Sequence, residues 1–121
     1  MTKSLKTNLE NSLMSAMERL VILSETYKMK DAYVVESENH VNVGQERGLN
    51  GTSFTVKSVF SSCYAVVYNT REEAEKYGAD YYLLEYNMKP IHMRFIKASE
   101  FFSRELKEAE ELMKFVTENE K

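Results

Sequence analysis

The sequence is poor in cysteine, in long apolar runs, and in glycine and proline, and each shortage excludes a class of protein. The single cysteine, Cys63, cannot form an internal disulfide, so a reducing compartment is expected and we predict a cytoplasmic protein. No apolar run approaches the about 20 residues that a membrane span needs. Residues 1–13 lack the apolar core of a secretory signal, so we expect no membrane partner. With four glycines and one proline, the chain has no linker or low-complexity tract.

An excess of basic charge is also missing. The chain has 16 basic and 19 acidic residues, for a net charge of -3. A protein that coats nucleic acid needs a basic surface, so nucleic acid is not an expected partner. A length of 121 residues with 43% hydrophobic and 29% charged residues is typical of one folded domain, which we place at 1–121.

Apolar periodicity predicts helices at the two ends of the chain. In residues 4–29, apolar side chains recur at three- and four-residue steps, which predicts a long first helix. Near the other end, Ser99 is predicted to cap a last helix. The apolar stripe of that helix consists of Phe102, Leu106, Ala109, Met113 and Val116.

The middle of the chain favours strands, interrupted by one short helix. Residues 31–43 read as extended, and the β-prone runs 53–60 and 63–69 form either a hairpin or one bent strand. Thr70 followed by Glu73 matches a capping box that begins a short helix, and Gly78 is predicted to end it. Residues 81–96 alternate apolar and polar side chains and read as a second hairpin.

These elements predict a protein of class α+β. The expected order is α-β-β-β-α-β-β-α, with a mostly antiparallel sheet of about five strands. A long N-terminal helix and a C-terminal helix cover one face, and a short helix lies in the middle. The first helix is long for so small a domain, and Met14, Val21 and Ile22 spread past its main stripe. We therefore predict a second contact surface and a homo-oligomer, a dimer or higher.

The stretch HVNVGQERGLNGTSF, residues 40–54, holds three of the four glycines. It is not a P-loop, because no lysine follows a glycine, and no predicted helix begins after it to hold a phosphate. What remains is either a binding loop or a plain connection between strands.

A small anionic ligand such as a nucleotide needs only two or three cations, a glycine-rich backbone and one stacking ring. We expect Arg47, Lys57 and Arg94 to converge at a sheet end or a dimer seam, with a tyrosine from the second hairpin. The alternative is that Arg94 pairs with Glu85 across that hairpin and the other cations are solvated. The predicted ligand- or partner-binding residues are Arg47, Asn50, Thr52, Lys57, Arg94 and Tyr86.

Catalytic chemistry finds little support. Glu36, Glu38 and His40 alternate with period two, so one strand face would present all three to a divalent metal, with His92 as a further ligand. The same pattern is typical of a solvated strand face, and no metal-binding motif accompanies it. Cys63 lies among apolar residues and is expected to be buried. We predict no catalytic residue, no metal and no cofactor.

The sequence therefore predicts a small non-enzymatic binding or inhibitor protein that occupies or sequesters its partner. The residue usage resembles that of AT-rich genomes, including those of many phages, so the expected partner is a host defence or regulatory machine. The alternative is a module that sequesters a signal nucleotide without turnover. A third possibility is a metal-dependent hydrolase centred on Glu36, Glu38 and His40.

Overall fold

The computed structural model describes residues 3–44, 52–79 and 93–118. In chain order, the described elements are helix α1 (Lys3–Thr26), strands β1 (Tyr33–Glu36), β2 (His40–Gly44) and β3 (Thr52–Val56), helix α2 (Val59–Ser62), helix α3 (Arg71–Glu73) with the π-helix Ala74–Ala79 that continues it, strand β4 (Arg94–Lys97), and helix α4 (Ala98–Glu118).

The described strands form one antiparallel sheet in the order β3-β2-β1-β4. The α+β class is therefore confirmed. The predicted order of elements is wrong within the described ranges. The sheet has four strands there, where about five were predicted for the chain. The predicted hairpin at 81–96 lies mostly outside these ranges, and its last residues form β4.

The first disagreement is a tight turn at residues 37–39, where the sequence predicts one extended run. The Ser37 amide donates to the His40 carbonyl at 2.8 Å, and the Ser37 hydroxyl accepts from the His40 amide at 3.2 Å. Serine and asparagine favour such turns because their side chains bond nearby backbone groups. The run therefore folds into the β1–β2 hairpin, in which Glu36 pairs with Val41.

Beyond that pair, β1 and β2 separate, and the segment 64–68 lies between them. On one side, the amide and carbonyl of Tyr68 bond the backbone of Tyr33, both at 2.8 Å. On the other side, the Val66 amide donates to the Asn42 carbonyl at 2.9 Å. The segment satisfies backbone groups that the open hairpin leaves unpaired, as buried polar backbone requires.

Helix α2 replaces the strand pairing predicted for 53–69. The Ser58 hydroxyl accepts from the Ser61 amide at 3.2 Å, and the Ser61 hydroxyl accepts from the Ser58 amide at 2.9 Å. This reciprocal capping box begins a helical turn directly after β3. Both the hairpin and the bent strand expected here are wrong, because the local serines favour a helix start.

The start of α3 is confirmed. The Thr70 hydroxyl accepts from the Glu73 amide at 3.1 Å, as its place before the helix predicts. The predicted end at Gly78 is wrong, because helical turns continue as the π-helix to Ala79.

The long helices cover one face of the sheet. The predicted stripe of α4 is confirmed, but α4 begins at Ala98, so Ser99 lies inside the helix and does not cap it. The Ala98 amide donates instead to the Ala32 carbonyl at 2.8 Å. The rings of Tyr27 and Phe102 stack 6.0 Å apart, where the end of α1 meets the start of α4. Residues fully or almost fully buried in this layer include Leu13, Ala16, Leu20, Val34, Val41, Phe101, Phe102, Ala109 and Val116.

A smaller apolar cluster covers the opposite face. It contains Val35, Phe54, Tyr68, Ala74 and Met93, with Ala74 supplied by the helical segment after Thr70. Both faces of β1 are thus buried, which explains its run of valines. Within the described residues, no helix is long and apolar enough to cross a membrane.

Helix α1 leaves apolar side chains in solvent. Its 24 residues span about 36 Å, at about 1.5 Å per residue. The five residues of β2 span about 17 Å, so α1 is about twice as long as the strands. Met14, Val21 and Ile22 are 53%, 46% and 64% exposed.

The predicted homo-oligomer can be tested on this surface. We expect the chain to sediment as a dimer or larger, and we expect Ile22→Glu to shift it to the monomer, because a charge at this position opposes apolar association. At a concentration where both chains are monomeric, the two melting temperatures should agree, since Ile22 is mostly exposed within one chain. A wild-type chain that sediments as a monomer at high concentration would contradict the prediction.

Candidate functional site

Three cations surround one buried carboxylate at the end of β1. The Glu36 side chain is inaccessible to solvent. Its carboxylate accepts from both terminal nitrogens of Arg104, at 3.0 and 2.6 Å. Lys57 Nζ lies 3.1 Å from Oε2, and Arg94 Nε lies 3.3 Å from Oε1. We call these four residues the Glu36 cluster.

The fold explains why these residues meet. Arg94 is the cross-strand partner of Glu36 in the β1–β4 pair, so both side chains lie on the same face. Lys57 follows β3, and its amide donates to the Asn39 carbonyl in the β1–β2 turn at 2.8 Å. Arg104 projects from α4, with its guanidinium 5.2 Å from the centroid of the Phe101 ring. Three separate parts of the chain thus converge on the Glu36 side chain.

The charges of the cluster stabilise one another. Burial by itself would raise the pKa of Glu36, but the hydrogen bonds and charges of Arg104 and Lys57 outweigh it and lower the pKa from its ordinary value of 4.5. The hydrogen bonds to Glu36 in turn raise the pKa of Arg104. The Ser37 carbonyl accepts from Lys57 at 3.4 Å and from Arg94 at 3.3 Å. The carboxylate is therefore ionised and fully paired at neutral pH.

A second buried carboxylate lies beside the cluster. Glu105 Oε1 accepts from the Ser62 hydroxyl at 2.5 Å, and Oε2 lies 3.5 Å from Arg104 Nε. Among the residues described, Oε2 accepts no hydrogen bond. Burial raises the pKa of Glu105, and nearby Glu108 raises it further, while the bond from Ser62 opposes the shift. Ser62 and Glu105 are both sealed from solvent, so this serine–carboxylate pair cannot reach a substrate.

The structure brings together two of the predicted binding residues, Lys57 and Arg94. Arg94 pairs with Glu36, and Lys57 pairs with it too, so Lys57 is not merely solvated; Glu85, the alternative partner of Arg94, lies outside the described residues. Thr52 belongs to β3, with its backbone opposite Gly44. Arg47, Asn50 and Tyr86 also lie outside the described residues.

The proposed metal ligands do not share a strand face. The turn at 37–39 separates Glu36 from His40, and cations occupy the Glu36 carboxylate. In the described ranges, no group of three potential ligands is close enough to hold a metal ion, and His92 lies outside them. Cys63 is buried, and burial raises the pKa of its thiol, which disfavours the nucleophilic thiolate.

No protein-family model matches the sequence, and no curated protein or solved structure matches it significantly. Any function for the chain must therefore be argued from the geometry of its own residues.

The anchoring role of Arg104 can be measured directly. We expect Arg104→Gln to lower the free energy of unfolding by about 2 kcal/mol, measured by urea denaturation. This is less than the about 3–5 kcal/mol typical when a buried charge loses its partner, because Lys57 and Arg94 remain and Arg104 is partly exposed.

The control is Arg71→Gln, since the side chain of Arg71 is 61% exposed and pairs with Glu75 in solvent. This variant should lose less than about 1 kcal/mol. Equal losses in the two variants would show that the Glu36 cluster is no stronger than a surface ion pair.

The two buried carboxylates predict opposite pH dependences. Glu105, with a raised pKa, stabilises the fold fully below its ordinary value of 4.5, and this contribution is lost as pH rises through the folded pKa. Glu36, with a lowered pKa, contributes above 4.5 and loses that contribution as pH falls through its folded pKa. Glu105→Gln should therefore be more stable than the wild type at neutral pH, with the gain shrinking in acid. Urea denaturation from acid to neutral pH tests the sign of the difference in unfolding free energy between Glu105→Gln and the wild type. A variant that becomes less stable than the wild type as pH rises would contradict the prediction.

Proposed function

We propose that this protein is a non-enzymatic binding protein that holds a small oxyanion-bearing ligand at the Glu36 cluster without transforming it. The observation that supports the proposal is the local charge. Three cations touch Glu36, and one of them also touches Glu105, so the contacting groups keep an excess of positive charge even with both carboxylates ionised.

The cations are also accessible from outside. The side chains of Arg94 and Arg104 are 50% and 39% exposed, while Lys57 is 20% exposed. The buried carboxylate orients the guanidinium groups, so their outward N–H bonds are positioned before a ligand arrives. Arginine is well suited to phosphate and similar oxyanions because its planar group donates two parallel hydrogen bonds.

Binding without turnover follows from the chemistry beside the cluster. Ser62 and Glu105 are sealed from solvent, and the Cys63 thiol is kept protonated by burial. A general base must lie within hydrogen-bonding reach of the proton that it removes. The described side chains that contact the Glu36 carboxylate are Lys57, Arg94 and Arg104, which are donors and not bases.

The proposal is tested with inorganic phosphate and a panel of mononucleotides. We expect phosphate to raise the melting temperature above that in chloride at equal ionic strength, because a ligand that binds only the folded state stabilises it by mass action. Arg94→Gln should abolish this rise while keeping the fold, since Arg104 still pairs with Glu36. Arg71→Gln is the control and should respond like the wild type.

Two results would overturn the proposal. One is an identical melting temperature in phosphate, in every nucleotide and in chloride. The other is turnover of a substrate that is abolished by changing one acidic or histidine side chain.

A second candidate function, occupation of a protein partner as an inhibitor, is favoured by a different observation. Met14, Val21 and Ile22 expose apolar surface on α1, and methionine adapts to irregular partners. Ile22→Glu should abolish the inhibition of such a partner. Inhibition that survives this substitution would place the contact elsewhere.

A further inference from the structure

A cation without an acidic partner lies between α1 and the chain that follows α2. Arg19 Nε donates to the Cys63 carbonyl at 2.7 Å, and the guanidinium lies 4.7 Å from the centroid of the Tyr64 ring. Throughout the described ranges, neither terminal nitrogen of Arg19 donates to a protein acceptor, and no carboxylate pairs with it. The outer N–H bonds of Arg19 are therefore available to a ligand.

The Arg19–Tyr64 pair is held in place from both sides. The Tyr64 amide donates to the Ser61 carbonyl at 3.0 Å, and the Tyr64 carbonyl accepts from the Gly44 amide at 3.1 Å. Cys63, whose carbonyl anchors Arg19, is buried. Because the Arg19 guanidinium is anchored on the Cys63 carbonyl and lies over the Tyr64 ring, a ligand would lose little affinity to ordering this cation.

Two cavities open on either side of this pair. The larger, of about 370 Å³, has an apolar wall formed by Leu23, Tyr27, Ala65 and Val67. The smaller, of about 290 Å³, is lined in part by the hydroxyl-bearing Ser12 and Ser15. Of the residues that the structure describes, no acidic side chain lines either cavity. The volume of the larger cavity is within the range of small-ligand sites, which run from about 300 Å³ upward, and that of the smaller lies just below it.

The two cavities and the Arg19–Tyr64 pair form what we call the Arg19 groove. We propose that this groove binds a flat aromatic anion, with the ring in the larger cavity and the anionic group on the terminal nitrogens of Arg19. The apolar side chains that line this cavity favour a ring, and Tyr64, which is 45% exposed, offers a stacking surface. The unpaired guanidinium favours a carboxylate, sulfonate or phosphate through charge-assisted hydrogen bonds. This site shares no residue with the Glu36 cluster.

The source of such an anion is either an apolar aromatic acid or a nucleotide, since both combine a ring with an oxyanion. Naphthalene carboxylate and adenosine monophosphate serve as the two probes. Binding of the first alone identifies an apolar aromatic acid as the ligand class, and binding of the second identifies a nucleotide. A neutral probe, naphthalene methanol, measures what the ring contributes without the charge.

The experiment is calorimetric titration of the intact chain, with NMR of the Leu23 and Ala65 methyl groups to locate the probe. We expect at least one anionic probe to bind about tenfold more tightly than naphthalene methanol, because the charge-assisted bond to Arg19 is lost in the neutral probe. The methyl signals should shift with the same midpoint as the calorimetric curve.

Matched variants test whether Arg19 supplies the positive charge that binds the anionic group. Arg19→Gln should weaken the anionic probe about tenfold and leave the neutral probe unchanged, while Arg19→Lys should restore part of the affinity. Arg71→Gln is the control, because Arg71 also lies over an aromatic ring, 5.4 Å from the centroid of Phe95. Arg94→Gln should not affect binding in the groove. A failure of the groove proposal can therefore be distinguished from a failure of the proposed ligand binding at the Glu36 cluster.

Three outcomes would overturn the inference. They are the absence of binding by both anionic probes, equal affinity of the wild type for anionic and neutral probes, and unchanged affinity in Arg19→Gln. If Arg19→Gln does not fold, the comparison of charged and neutral probes on the wild-type chain decides the question.

Discussion

The bidentate bond between Arg104 and Glu36 is the constraint on which the rest of the arrangement depends. A carboxylate with no exposed surface must be paired, because an isolated charge in the interior is far too costly to keep. The pairing requires α4 to begin immediately after β4, so that its second turn passes over the end of β1. The same carboxylate draws in the residue after β3 and the residue opposite on β4. One side chain thus sets how the helix layer lies on the sheet.

The two apolar clusters are formed by different parts of the chain. The larger is built by α1 and α4, which come from opposite ends of the chain and enclose the helix-facing valines of β1 and β2. The smaller is built from short segments in the middle of the chain. Buried polar groups pair in the interior, as when the Tyr68 hydroxyl donates to the buried Asn42 side chain, whereas Glu105 Oε2 accepts no hydrogen bond among the described residues. The Arg19 groove lies at the edge of the larger cluster, where α1 meets the chain that follows α2, and Cys63 belongs to both.

Some local signals in the sequence predicted the structure, whereas those at Gly78 and Ser99 did not. The Thr70 cap and the stripe through Phe102, Ala109 and Val116 depend on neighbours three or four residues away, so periodicity and capping rules predict them. The expected convergence of Lys57 and Arg94 agrees with their meeting at Glu36. The role of Glu36 itself was missed, because its strongest partner is 68 positions away and its surroundings resemble a solvated strand. Arg19 was missed because an arginine off an apolar stripe is ordinarily solvated.

The segment 64–68, which fills the opening between β1 and β2, has a consequence for how the chain folds as it is made. Synthesis proceeds from the N-terminus, so β1 and β2 leave the ribosome before the residues that complete their backbone hydrogen bonds. Until then, the amide of Gly44 and the carbonyl of Asn42 have no partner from that segment, and an incomplete hairpin of this kind exposes a pairing edge. The edge that this segment covers is therefore open to wrong strand pairing between the emergence of residue 44 and that of residue 68.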